Sequence, residues 1–244
     1  MEDTPEISGP FQQPDIKAGS SKKTNVFGYE KQELVLKRKK DGEENVFSSA
    51  DAARQYIRQK EEERRRISEI LSSLGSTREI IVPSLAVIHN TPGGEITYSE
   101  AQSWIKDAKP LSSLGTKVLS LSVDSLEDLK HIFQANLKLW KEEKMSLDIV
   151  GSTASKLSLP NKLLRHIFPL FYCENIMIDA QGRPQFVDVG RFDRKYEQSW
   201  KDHWRPRIQQ FGSRVSIALI DLALLFKKEE IAKKILPDPA QKPI

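Results

Sequence analysis

One cysteine, Cys173, stands in a chain of 244 residues, so an intrachain disulfide and a cysteine-built zinc site are both excluded. A reducing, cytoplasmic setting is the natural expectation. No apolar run reaches membrane-spanning length. The longest near-apolar stretch, VSIALIDLALLF at 215–226, is short and carries Asp221, so membrane insertion is not expected. The opening MEDTPEISGP is acidic and polar, unlike a secretory leader. Charge of one sign is barely in excess, with 38 Lys and Arg against 34 Asp and Glu and a net charge of +4. The basic runs KRKK (37–40) and RRR (64–66) lie among acidic residues. Without a basic stripe interleaved with aromatics, nucleic acid is not the expected partner. Internal repeats are also missing.

What is present reads as a folded protein: hydrophobic residues make up 38% and charged residues 30%. Residues 1–16 and 237–244 are Pro- and polar-rich without periodicity, and are expected to be disordered. Between them the pattern changes once. From 17 to 105 it is strand-rich around one helix. A turn at Gly28 precedes a strand over Glu33–Arg38, and a long helix starts at Ser48 or Ser49 and stops at Gly75. In that helix Ile67, Ile70, Leu71 and Leu74 share a face. A strand over 78–89, interrupted at Pro83, a turn at 91–94 and a strand over 95–105 follow.

From 106 to 236 helices dominate. Ser125-Leu-Glu-Asp128 resembles a capping box, and Leu126, Leu129, Phe133, Leu137 and Trp140 make a helical stripe after it. A short helix at 161–171 is cut by Pro169, and a helix over 213–236 carries Val215, Leu219, Leu222 and Phe226 on one side. The fold class is α+β, with a small β-rich N-terminal lobe and a reduced helical C-terminal lobe.

The chemistry centres on ENIMIDAQGRPQFVDVGRFD, residues 174–193. If Ile176–Ile178 and Gln185–Val187 pair as a hairpin, Asn175 and Asp188 meet at its open end, ahead of the flexible Gly190. An amide oxygen beside a carboxylate can hold a hard cation such as Mg²⁺, which keeps waters and borrows phosphate oxygens. The other reading is a surface hairpin whose Asn and Asp merely form turns.

This segment, Asn175-Ile-Met-Ile followed by Asp188-Val-Gly190, resembles the metal-binding segment of the protein-kinase-like superfamily. There an Asn leads into a strand pair ending in Asp-x-Gly, and both side chains hold magnesium on ATP. The resemblance implies a two-lobed fold, ATP and Mg²⁺ as cofactors, and a phosphotransferase whose acceptor is a protein or a small molecule. It implies Lys37, in Leu34-Val-Leu-Lys37, as the lysine on the nucleotide phosphates. Gly19, Ser20 and Ser21 stand in the place of the phosphate-covering loop, although that loop lacks three close glycines. On the long helix Glu61, Glu62, Glu63 and Glu69 compete to pair with the lysine, and Glu63 shares the buried stripe with Ile67 and Ile70. Glu100 to Ser103 match the hinge whose backbone reads adenine. Asp221, within an apolar run, matches an inward Asp that supports the catalytic loop. The family's catalytic Asp lies five residues before the Asn, where this chain has Leu170. Two readings follow. Asp148, after the long helix, is the catalytic Asp ahead of an insertion at 149–174, with His166 as a substitute base. Alternatively the acid is missing and the chain is a pseudokinase, binding nucleotide or partners without phosphotransfer. The absence of a recognisable peptide-docking segment makes the chain more similar to minimal atypical kinases than to eukaryotic protein kinases.

Overall fold

The computed structural model describes residues 16–20, 24–29, 33–39, 46–90, 94–150, 164–188, 191–193 and 200–235. They form an α+β protein of small antiparallel sheets and long helices. The chain divides into two compact units. The first takes the residues up to Glu69 together with Ile81–Asp107, and the second takes Ile70–Ile80 together with the residues from Ala108 onward.

The first unit is built on a five-stranded antiparallel sheet of order β1-β2-β3-β5-β4, from β1 (Ile16–Ser20), β2 (Thr24–Tyr29), β3 (Leu34–Lys39), β4 (Ser84–Asn90) and β5 (Ile96–Ser103). Gly28 does not form the expected turn. It sits inside β2 opposite Val35 of β3, where the alternation of Phe27 and Tyr29 carries the strand through. The strand expected over 78–89 begins only at Ser84. Pro83 cannot donate to a ladder, and its carbonyl instead accepts from Ser103 N (3.2 Å).

Helix α1 (Ala50–Ser73) starts where Ser49 Oγ accepts from Ala52 N (3.1 Å). It ends where Gly75, at φ +98°, lets Ser76 N reach back to Leu71 O (3.1 Å) and Gly75 N to Ser72 O (3.0 Å). Glu63, Ile67, Ile70 and Leu71 mark its buried side at three- and four-residue steps, as a 3.6-residue turn requires.

The second unit packs α2 (Val123–Glu143), α3 (Pro169–Tyr172) and α4 (Trp200–Ile235) with two small sheets. One is β7 (Met145–Leu147) with β10 (Arg191–Asp193). The other, in the order β6-β8-β9, joins β6 (Lys109–Pro110), β8 (Ile176–Ile178) and β9 (Pro184–Phe186). Helix α2 is capped three residues before the expected place: Ser122 Oγ accepts from Ser125 N (3.1 Å), and Ser125 lies in the first turn. Leu126, Leu129, Ile132, Phe133 and Leu139 are fully or almost fully buried and form the centre of the core, whereas Leu137 and Trp140 of the expected stripe are half-buried.

Helix α4 begins thirteen residues before the expected Ser213, because neither Pro206 nor Gly212 stops it. It also turns the other way. Gln209, Gln210, Ser213, Ser216, Ile220 and Leu224 are buried, whereas Leu222 and Phe226, expected on the inner side, are 50% and 61% exposed. The stretch Arg207–Glu229 is long and apolar enough, by length and composition, to cross a membrane, a test that core helices of soluble proteins also pass.

Candidate functional site

In the first unit, β3 sets Lys37 opposite Glu100 of β5. Directly opposed residues of an antiparallel pair share a face. Glu100 is ion-paired to Arg64 of α1, so Lys37 stands on the face of the sheet that α1 covers. Tyr98, two residues along on that face, packs against Tyr56 of α1 (5.5 Å between centroids) and Phe47 (6.2 Å). Burial, with Tyr56 next in effect, pushes the Tyr98 hydroxyl pKa up.

The four glutamates of α1 separate clearly. Glu61, Glu62 and Glu69 are exposed, and Glu69 accepts from Arg65 (2.7 Å). Glu63 alone is buried, 7% exposed, with Gln59 Nε2 and Lys60 Nζ each 3.3 Å from its carboxylate. Keeping a carboxylate there requires partners of this kind, since burying an unpaired charge is costly.

The hinge assignment needs correction. β5 runs between β3 and β4, and Glu100 to Ser103 pair within it: Glu100 with Lys37 and Ala86, Gln102 with Val35 and Ser84, Ser103 with Leu34. Their backbone groups are committed to the sheet ladder, so an adenine edge cannot be read there. The chain leaves the ladder after Ser103, where Trp104 N donates to Glu33 O (2.7 Å). Gly19 and Ser20 lie at the end of β1, opposite Val26 and Asn25 of β2. Ser21 lies outside the described residues, as does Gly190.

In the second unit, the hairpin forms, with its second strand shifted one residue toward the turn, Pro184–Phe186 in place of Gln185–Val187. Ile176 pairs with Phe186 and Ile178 with Pro184, and Val187 N donates to Asn175 O (2.9 Å). The turn between the strands is organised by Asp179, whose carboxylate accepts from Gln181 N (2.9 Å), Arg183 N (2.8 Å) and Arg183 Nε (2.7 Å). At the open end, Asn175 Nδ2 donates to the backbone oxygen of Asp148 (2.6 Å). The amide nitrogen is therefore turned to Asp148, and Asn175 Oδ1 is the end left to ligate a cation. Asp188, next in chain after Val187, is exposed. β7 and β10 form a second ribbon next to Asp148. Leu147 pairs with Arg191 in antiparallel register, so Asp148, just after Leu147, lies at the end of that ribbon where Arg191 begins β10. Asp148 is partly exposed although Leu147, Ile149 and Val150 around it are buried.

Two residues that the sequence reading did not single out hold this loop. Asn136 of α2, fully buried, accepts through Oδ1 from Leu147 N (2.8 Å) and donates from Nδ2 to Ser213 Oγ of α4 (2.9 Å). Ser146 Oγ lies within reach of Asn136 Oδ1 (3.1 Å) and Gln209 Oε1 (2.9 Å). The available signal was positional: Asn136 falls three residues after Phe133 and four after Ile132, on the apolar stripe. Cys173 is the second. Its fully buried thiol donates to Ile149 O (2.7 Å), and burial raises its pKa well above the usual thiol value, with the nearby Asp148 carboxylate adding to the effect.

The remaining assignments fare differently. Asp221 does not reach inward to support a loop. It is about half exposed and ion-paired to Lys130 Nζ of α2 (2.6 Å), because α4 turns Ser216, Ile220 and Leu224 to the core instead. Leu170, five residues before Asn175, is fully buried in α3 and has no proton-accepting group. His166 lies in the helical turn 164–167 and is half-buried. Among the described residues no three His, Cys, Asp or Glu side chains gather as a metal cluster. The fold and site define an α+β protein with a hard-oxygen pair at a hairpin mouth. No family model matches the chain, and no curated protein matches its sequence.

Proposed function

We propose that the protein is an ATP- and Mg²⁺-dependent phosphotransferase of the atypical, protein-kinase-like kind. The observation that carries this reading is the hydrogen bond from Asn175 Nδ2 to Asp148 O, which ties the presumed acid loop to the metal-type hairpin although 27 residues separate them. Asn175 Oδ1 and the Asp188 carboxylate suit a hard cation. Magnesium, when bound with ATP, supplies neutralisation of the phosphate charge. Lys37 orients the nucleotide phosphates and Glu63 is its counter-charge. Asp148, held through its backbone by Asn175 and through Leu147 by Asn136, orients the acceptor hydroxyl and takes its proton. Little covalent chemistry is asked of the chain, so positioning and charge account for most of the rate. The acceptor class is a protein or a small molecule.

The second reading, a pseudokinase, is favoured by one observation: buried Leu170 fills the position where the family's catalytic Asp stands.

The test begins with thermal unfolding in the presence of ATP and Mg²⁺. A ligand at a hundred times its Kd stabilises the fold by about 2.7 kcal/mol, or about 5–10 °C for a chain of this size. Asp188→Asn and Asn175→Ala should each abolish most of that shift without lowering the Tm of the ligand-free protein by more than a few degrees. An unshifted Tm in the native protein removes the nucleotide reading. If ATP binds, turnover lost in Asp148→Asn supports the phosphotransferase. Background turnover in both native protein and variant leaves the pseudokinase.

A further inference from the structure

We propose that the outward face of α4 is a self-association surface that receives the same face of a second copy of this chain, antiparallel and centred on Ala218. The outward face exposes large apolar side chains: Phe211, Leu222 and Leu225 are 56%, 50% and 54% exposed, while Gln209, Ser213, Ser216, Ile220 and Leu224 are turned into the core. The central stripe of that face runs Arg207, Phe211, Arg214, Ala218, Leu222, Leu225 and Glu229, flanked by exposed Asp221 and Lys228 on one side and Phe226 on the other. The steps along the stripe run four, three, four, four, three, four, which reads the same in both directions.

A two-fold axis through Ala218 exploits that symmetry. It sets Ala218 against its own copy, so the smallest side chain lies where the helix axes cross and can approach. It sets Phe211 on Leu225, lays the aliphatic stem of Arg214 over Leu222, and brings the Arg207 guanidinium to the Glu229 carboxylate. The pairing is isologous, each contact occurring twice. Two four-residue steps meet at Ala218, so Phe211 and Leu222 are eleven residues apart. That spacing does not sustain a left-handed supercoil and suits two nearly straight helices crossing once. The face is about 33 Å long at 1.5 Å per residue, long enough for a specific contact.

Other occupants fit less well. A parallel copy would stack Arg on Arg and Glu on Glu. A lipid interior would have to take up Arg207, Arg214 and Glu229 along with the apolar residues, which is unfavourable for charged side chains.

The full chain, studied by sedimentation velocity from about 1 to 100 µM, should move from 27.8 kDa to twice that mass. Leu225→Asp, at an exposed position, should leave the circular dichroism and the Tm at about 1 µM unchanged, and hold the chain at the monomer mass up to about 100 µM. Arg207→Glu should weaken the dimer about ten-fold, and adding Glu229→Arg should restore it. Ala218→Cys should form a disulfide-linked dimer under mild oxidation, whereas buried Cys173 should not cross-link. A monomer throughout the range, a dimer indifferent to Leu225→Asp, or a charge swap without rescue would each overturn the proposal. So would a monomer that co-sediments with phosphatidylcholine–phosphatidylglycerol vesicles through this face.

Discussion

At the scale of residues, the buried charges are the most informative. Asp128 of α2 lies against Arg78 (3.5 Å), near Asp124 and His131, and burial raises its carboxyl pKa more than Arg78 and His131 lower it. The folded protein therefore binds a proton at Asp128 more readily than the unfolded chain does. Stability drawn from this group is fully present below the ordinary carboxylate pKa and is lost as pH rises from about 4 through the raised value. Asp128→Asn, which cannot titrate, should flatten the decline in Tm over that window. A native Tm that instead climbs more steeply than the variant's across the window would mean that Arg78 outweighs burial. Asp128 was legible only as a member of a capping motif, because neither its burial nor Arg78, fifty residues away, is written in its neighbours. Glu63 was legible: its place on the stripe of Ile67 and Ile70 is a local property of a helix. Asp221 was not, because an Asp in an apolar run has the same sequence pattern on either side of a helix, and only packing selected the outward one.

At the scale of elements, hydrophobic periodicity located α1, α2, β3, β5 and the hairpin, since each carries a local repeat and a local stop. It misplaced α4. Gly212 lies inside the helix as a contact residue: a Cβ added there would meet His166 O at 1.9 Å and Pro169 Cδ at 2.8 Å. The helix accepts Gly to let the 164–169 segment lie against its backbone. Gly212→Ala sets two effects against each other. Alanine favours the helix by about 1 kcal/mol, but overlap with a backbone carbonyl forces a shift at the upper end of overpacking costs, about 3 kcal/mol or a little more. The overlap wins, so chemical denaturation should show a loss of about 1–3 kcal/mol. Unchanged or increased stability would show that the segment yields freely.

At the scale of the whole molecule, the two units are not two consecutive halves of the chain. Ile70–Ile80 leaves the first run to join the second unit. There Ile70, Leu71 and Ile80 are buried, Ile80 O accepts from Phe186 N of β9 (2.7 Å), and Arg78 meets Asp124 (2.6 Å). A fragment of residues 108–244 lacks all of these. It should keep much of its helical far-UV signal yet bind the dye ANS and unfold broadly, as loosely packed chains do. The full chain should do neither, and a fragment that melts sharply without binding the dye would show that Ile70–Ile80 is dispensable. By itself the sequence determined the fold class, the start and stop of α1 and the hairpin, because turns, caps and periodicity act over a few residues. Only the tertiary structure decided that Asn175 grips Asp148, that Asn136 and Cys173 buttress that loop, that Glu100 to Ser103 lie within a paired strand, and which face of α4 is covered. Those outcomes depend on contacts between distant parts of the chain, where packing density and hydrogen-bond satisfaction choose among faces that local patterns leave equal.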